Sequence, residues 1–69
     1  MRPPWIEFPK IPAGSIGWRM GDGEGYYNCF YKWFSALDTA AQAQYQAANP
    51  APRGWSRFYQ TIVDHPWRT

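Results

Sequence analysis

Two groups of residues in this sequence have side chains of the types that catalyse reactions. Cys29 and His65 are the only cysteine and the only histidine among the 69 residues, and they would supply a thiol nucleophile and a general base. Asp22 and Glu24 form the second group, since a pair of carboxylates can exchange protons with a substrate. Both chemistries require the groups to be held within hydrogen-bond reach.

Neither group lies in a sequence context that favours catalysis. Cys29 falls within an aromatic helical segment, where a structural role is the simpler interpretation, and His65 precedes Pro66 with Asp64 as its obvious neighbour. Arg19 lies close to both carboxylates and offsets part of their charge. A single cysteine and a single histidine also lack the paired spacing of a zinc site. We therefore predict no enzymatic activity, no cofactor and no metal ion.

The apolar residues of the chain are mainly aromatic. There are five Trp, five Tyr and four Phe, against four Ile, one Leu and one Val, so we expect an aromatic core. The formal net charge of +2 is too small to indicate nucleic-acid binding by itself. No apolar run approaches the ~20 residues of a membrane span, and a lone cysteine suits a reducing compartment. These features predict a cytoplasmic protein with no membrane segment.

Residues 1–13 are rich in proline and in large apolar side chains. The prolines are Pro3, Pro4, Pro9 and Pro12, and the apolar side chains are Trp5, Ile6, Phe8 and Ile11. Because proline restricts its own φ angle and disfavours helix at the preceding residue, this segment is predicted to be an extended arm. Two roles stay open for it, either covering its own helical core or docking on another protein.

Residues 14–25 contain five glycines, which predict an irregular loop with positive φ angles leading into the first helix. The glycine spacing matches neither the dinucleotide-binding fingerprint nor the phosphate-binding P-loop. We expect Arg19 to pair with Glu24 and so to fold the loop over the start of the helix.

The periodicity of the apolar residues after the loop predicts three helices. The first runs from about Glu24 to Leu37 with Asp22 as its N-cap, the second from about Thr39 to Ala48 with Asp38 as its cap, and the third from about Gly54 to Val63. The core is predicted where the first and third helices meet, and its residues are Trp33, Trp55, Phe58 and Tyr59.

The predicted fold class is mainly α. It consists of a small three-helix domain at residues 14–64, which includes the glycine-rich loop, with a proline-rich extended N-terminal arm at residues 1–13 and a tail at residues 65–69.

The composition favours a protein–protein interaction module. Trp, Tyr and Arg dominate interface hot spots, and a helical core this small cannot bury every ring. We predict partner contacts from eight residues, namely Trp5, Phe8, Trp18, Arg19, Tyr27, Tyr31, Arg53 and Arg57. A homo-oligomer is compatible with the same composition.

Nucleic-acid binding is the alternative class. Arg53 and Arg57 lie near the start of the third predicted helix, as in a helix-turn-helix protein. The basic residues are otherwise scattered along the chain, which makes this class the less favoured one.

The segment from Gly17 to Tyr26, with the sequence GWRMGDGEGY, is followed by a second set of characteristic positions. These are Trp33, Phe34, Leu37, Tyr45, Pro50, Pro52, Trp55, Phe58 and Tyr59. The pattern resembles a small protein family of bacteriophages and prophages, with a GWRMG-x-GE-x-Y loop, an aromatic helix and a closing P-x-P, W-x-x-FY sequence. The resemblance covers residues 16–59, about two-thirds of the chain, and implies a phage origin without an established activity.

A phage origin favours a non-catalytic accessory protein, since small phage proteins often act by binding. The predicted partner is a host protein in the host cytoplasm, which the chain would inhibit or modulate, with a host defence system among the targets. A nucleic-acid-binding accessory protein and a minor structural phage protein are the alternatives.

Overall fold

Four α-helices and one 3₁₀ turn form along residues 1–67, the part of the chain that the computed structural model describes. The helices are α1 (Pro4–Glu7), α2 (Asp22–Ser35), α3 (Thr39–Ala48) and α4 (Phe58–Asp64), and the 3₁₀ turn is Ile16–Trp18. These residues contain no β-strand. The predicted mainly α class is confirmed.

The proline-rich arm begins with a helical turn, so the prediction of extended backbone is wrong for Pro4–Glu7. Pro4 is the first helical residue, where the fixed φ of proline fits the helix and its missing N–H costs nothing. The backbone N–H of Phe8 donates to the carbonyl of Pro4 at 2.9 Å and closes the turn. Pro3 remains extended, at φ −61° and ψ 151°.

The glycine-rich loop is shorter than predicted, because α2 already includes Gly23 and Gly25. The expected positive φ angles occur at Gly14, with φ 73°, and at Gly21, with φ 129°. Asp22 is the first residue of α2 and not the residue before it. The carboxylate of Asp22 therefore acts on the positive end of the helix dipole from within the first turn.

The end of α2 and the whole of α3 follow from local capping. After α2, the N–H of Leu37 donates to the carbonyl of Phe34 at 3.1 Å, a tighter three-residue turn that ends the helix two residues before the predicted position. The side chain of Asp38 accepts from the N–H of Ala41 at 2.7 Å. This N-cap and the bounds Thr39–Ala48 confirm the second predicted helix.

The last helix begins at Phe58, four residues after the predicted start. Gly54 has φ 94°, a left-handed conformation that no helix interior adopts, and the N–H of Trp55 donates to the carbonyl of Pro52 at 2.9 Å in a turn. Trp55 therefore precedes α4, although its ring packs on that of Phe58 at 5.0 Å between centroids.

The chain divides into two compact units, Met1–Phe30 and Tyr31–Thr69. We call these the first and second units, and the boundary between them falls within α2. The predicted division into an arm, a helical domain and a tail stays a prediction. Residues 68 and 69 of the predicted tail, Arg68 included, lie outside the described residues.

The second unit has an aromatic core, as the composition predicts. Phe34 is fully buried between Tyr45 and Tyr59, at centroid distances of 5.9 and 5.2 Å. The predicted core residues Trp55, Phe58 and Tyr59 are buried, as is Ile62 of α4. Trp33 was expected in the same core but is only half-buried, and its ring meets the edge of Tyr45 at 5.3 Å. Adjacent residues of a helix point in different directions, so the face of α2 that is buried in this core carries Phe34 and not Trp33.

Candidate binding surface

Trp18 is the buried anchor of the first unit. Its side chain is 6% exposed, and its indole N–H donates a hydrogen bond to the carbonyl oxygen of Pro12 at 3.0 Å. The rings of Phe8 and Tyr27 pack against it at centroid distances of 6.1 and 6.0 Å. Because its polar and apolar parts both find partners inside the unit, Trp18 holds the backbone around it in place.

The residues on either side of Trp18 expose large apolar side chains. Ile16 is 68% exposed and Met20 is 69% exposed. The N–H of Met20 donates to the carbonyl of Ile16 at 2.8 Å, which places the two residues one helical turn apart. Arg19, which lies between Trp18 and Met20, is exposed as well. We call residues 16–20 the exposed turn.

The first unit also contains a groove of about 310 Å³, one of whose lining residues, Asp22, follows Met20 by two positions. It is lined by Glu7, Phe8, Pro9, Lys10, Ile11 and Asp22. Three of these side chains are apolar, two are carboxylates and one is an ammonium. The lining therefore suits an apolar group with a positive charge next to it.

Close contacts hold two walls of the groove in place. The ring of Phe8 packs on Trp18 and on Tyr26, the latter at a centroid distance of 5.8 Å. A Cβ atom added at Gly23 would lie 3.0 Å from Cδ1 of Ile11, so Ile11 lies directly on the start of α2. The hydroxyl of Tyr26 donates to the carbonyl of Arg2 at 2.6 Å, and burial, with a smaller effect of the nearby Glu7 carboxylate, raises its pKa.

The first unit brings together part of the predicted contact set. Trp18 contacts both Phe8 and Tyr27, Arg19 follows on the exposed turn, and Trp5 is half-buried in α1. The predicted partner contact of Trp18 is wrong, because its ring is buried and not available to a partner. Trp18 instead packs beneath the exposed residues of the turn and holds them in place.

The other predicted contact residues, Tyr31, Arg53 and Arg57, belong to the second unit. The Tyr31 hydroxyl donates to the carbonyl of His65, and its ring lies 6.1 Å from that of Trp67 between centroids. Burial raises the pKa of Tyr31. Tyr31 therefore contacts the segment that follows α4. Arg53 and Arg57 are both exposed.

The prediction of an ion pair between Arg19 and Glu24 is wrong. Within residues 1–67 these two side chains form no ion pair, whereas Arg2 and Glu7 approach each other to 3.9 Å. Arg19 caps the C-terminal end of the 3₁₀ turn and is exposed to solvent. Glu24 lies in the first turn of α2, where the helix dipole favours a carboxylate without a cationic partner.

The residues considered for catalysis are also placed by the structure. Cys29 is a free, exposed thiol on α2. His65 is the exposed C-cap of α4. In residues 1–67 no three His, Cys, Asp or Glu side chains are grouped closely enough to hold a metal ion. Over the same stretch, every helix is too short or too polar to cross a membrane.

Sequence reasoning missed Ile16, Met20 and the groove. A signal for the first two was present, because large apolar residues four positions apart flank a tryptophan in a glycine-rich segment. The groove had no local signal, since Asp22 reaches it from a different part of the sequence than residues 7–11.

Comparison of the chain with protein-family models, with curated proteins and with solved structures finds no match in any of the three.

Proposed function

We propose that this chain is a small bacteriophage accessory protein that binds a host protein in the host cytoplasm and acts without catalysis. The observation that supports this proposal is the exposed turn. Ile16 and Met20 are each more than two-thirds exposed, and they lie one turn apart on backbone held by Trp18. The resemblance to a phage family supports the source of the protein, and its loop motif covers residues 17–20 of the exposed turn.

The exposed turn has the composition and the rigidity of a binding surface. Met and Arg are enriched at interface cores, and the turn presents Met20 beside Arg19. Because Trp18 is bonded to Pro12 and packed against Phe8, the turn loses little conformational entropy when a partner binds. Contiguous exposed apolar patches are typical of protein-binding sites, and the turn brings Ile16 and Met20 within one turn of each other.

Affinity capture with matched variants tests the surface. Immobilised protein is incubated with lysate of a bacterial host, and retained proteins are identified by mass spectrometry. We expect Met20→Ser and Ile16→Ser to lose a host protein that the unmodified chain retains, because each removes an apolar contact. Val63→Ser is the control, since Val63 is 44% exposed in the second unit. Circular dichroism verifies that all variants are folded.

The captured host protein is then purified and titrated with each variant by calorimetry. We expect Met20→Ser to raise the dissociation constant at least about tenfold, equivalent to about 1.4 kcal/mol. Equal affinity of the unmodified chain and both turn variants would place the binding surface elsewhere.

Inhibition of a host defence system is the favoured form of this activity. We expect expression of the chain in a resistant host to raise the plating efficiency of a restricted phage, and expression of Met20→Ser to leave it unchanged. Unaltered plating with the unmodified chain across defended hosts would argue for another class of host target.

Nucleic-acid binding is the second candidate, because Arg53 and Arg57 are both exposed near the start of α4. Fluorescence anisotropy with labelled single-stranded and duplex DNA tests it. Support would come from an affinity for DNA that falls steeply as the salt concentration rises, together with a shallower fall for Arg57→Gln. Absence of binding at low salt would remove it.

A further inference from the structure

The groove and the exposed turn of the first unit have complementary chemistry. The groove offers the apolar side chains of Phe8, Pro9 and Ile11 together with two carboxylates. The turn offers an apolar side chain, Met20, next to a cation, Arg19. Each surface therefore carries what the other lacks.

The two surfaces do not meet within one molecule. Only Gly21 separates Met20 from Asp22, which lines the groove, and Met20 is 69% exposed and so lies outside it. Among residues 1–67, Arg19 forms no ion pair with either groove carboxylate; Glu7 has only the long contact with Arg2 at 3.9 Å. An exposed pair of that length contributes little and is readily exchanged for a closer one.

We propose that the groove is filled by a second copy of this chain, which inserts Met20 among Phe8, Pro9 and Ile11. A methionine side chain adapts to an irregular groove, and its sulfur packs favourably against an aromatic ring such as Phe8. Arg19 of the inserted turn pairs with Glu7 and Asp22, because a guanidinium forms two parallel hydrogen bonds to a carboxylate. Lys10 also lines the groove, and the two carboxylates outweigh its repulsion of Arg19.

The neighbouring positions of turn and groove favour a closed dimer. When the turn of one copy enters the groove of the other, a two-fold axis between them brings the second turn to the first groove. A closed pair uses both turns and both grooves and leaves no open end. Two such contacts are small beside the ~1,600 Å² of a standard interface, so we expect a dissociation constant on the order of 10 to 100 μM.

Analytical ultracentrifugation of the purified full-length chain tests the dimer. We expect the weight-average mass to rise from that of a monomer toward that of a dimer between about 5 and about 500 μM. Met20→Ser should raise the dissociation constant at least about tenfold, whereas Val63→Ser, which changes an exposed apolar residue of the second unit, should leave it unchanged. A monomer mass at every concentration, or equal association of Met20→Ser, would overturn the proposal.

Charge exchange tests the register of the contact. The Arg19→Glu variant and the Glu7→Arg variant should each be monomeric when measured alone. In each homodimer, the side chains at positions 7 and 19 would carry the same charge. A mixture of the two variants should form a heterodimer, since one of its contacts regains a Glu–Arg pair and the other is unmodified. Arg53→Glu is the control for a reversed charge in the second unit and should associate normally. Failure of the mixture to associate would overturn the proposed contact.

The dimer is measured on purified protein alone, so its failure leaves host-protein binding untouched. Conversely, loss of host capture by Met20→Ser without any self-association would support the proposed function and refute the dimer.

Discussion

Gly23 lies against the indole ring of Trp18, at the start of α2. A Cβ atom added there would be 2.7 Å from Cε3 of Trp18 and 2.9 Å from the carbonyl oxygen of Gly17. The second of these is a backbone atom that cannot rotate away. Gly25, two residues later in the same helix, has no such neighbour within 4 Å of an added Cβ. A larger residue therefore fits at Gly25 but not at Gly23, although both glycines lie in the same glycine-rich segment of the sequence.

Alanine substitution at these glycines should change stability in opposite directions. We expect Gly25→Ala to raise the free energy of unfolding by about 0.5–1 kcal/mol, because alanine is the better helix former. Gly23→Ala should lower it by roughly 1–3 kcal/mol, because the methyl group overpacks the contact with Trp18. Urea unfolding followed by tryptophan fluorescence measures both values. An equal effect of the two substitutions would show that Trp18 does not lie against Gly23.

Tyr59 should make the protein less stable in alkali. Its hydroxyl donates to the carbonyl of Asn49 at 2.7 Å, and burial raises its pKa from 10.0 to about 12. Since the unfolded chain releases this proton first, the stabilising contribution is complete below pH 10 and is lost as the pH rises toward 12.

Thermal melts between about pH 8 and pH 11.5 measure this effect. We expect the melting temperature of the unmodified chain to fall above pH 10, and Tyr59→Phe to show a shallower fall. Tyr26 and Tyr31, whose pKa values are also raised, should contribute to the fall that Tyr59→Phe retains. A parallel decline in Tyr59→Phe would contradict the assignment.

At the scale of elements, the proline-rich segment belongs to the fold of the first unit. Phe8 packs on Trp18 and Tyr26, and the carbonyl of Pro12 accepts the indole hydrogen bond. Of the two roles left open by the sequence, these contacts support the one in which the segment covers its own chain. The single turn of α1 sets the direction in which Phe8 leaves it.

Substitutions in this segment should separate its packed side from its exposed side. We expect Phe8→Ala to lower the free energy of unfolding by roughly 2–3 kcal/mol, because it uncovers Trp18 and Tyr26. Ile6, which is about half exposed, should cost less than about 0.5 kcal/mol when replaced by alanine. Denaturant unfolding of both variants measures the difference. Similar losses in the two variants would show that the segment does not cover Trp18.

For the whole molecule, aromatic rings replace the aliphatic side chains that fill most small cores. In the second unit, ring contacts connect Phe34, Tyr45, Tyr59 and Phe58 in series, and Trp55 packs on Phe58 with the two planes at 83°. Edge-to-face pairs of this kind add to the stabilisation from buried area. The buried rings are few and large, so each of them carries a substantial share of the stability.

Loss of one buried ring should therefore disrupt the native fold. Trp55 is buried, and we expect Trp55→Ala to cost roughly 3–5 kcal/mol, comparable to the total stability of a small domain. The amide NMR spectrum of this variant should lose its dispersion. Trp67→Ala is the control, since Trp67 is 39% exposed, and its spectrum should stay native-like. A dispersed spectrum for Trp55→Ala would remove Trp55 from the core.

Local sequence determined the helical class and the elements that depend on near neighbours. Asp38 caps α3 through a residue only three positions away, and the spacing of Phe58 and Ile62 already indicates the buried side of α4. Capping and periodicity act within one or two turns, so they can be read directly from the order of residues.

Only the tertiary structure decided the role of Trp18 and the position of the groove. The sequence indicated Trp18 as a contact residue, because nothing local shows that Phe8 and Pro12 enclose it. The apolar spacing also predicts a third helix that starts at Gly54. The positive φ of Gly54 excludes this residue from the helix, and α4 starts at Phe58. The groove exists because residues 7–11 fold back to Asp22, and a contact between distant segments depends on packing that no short pattern encodes.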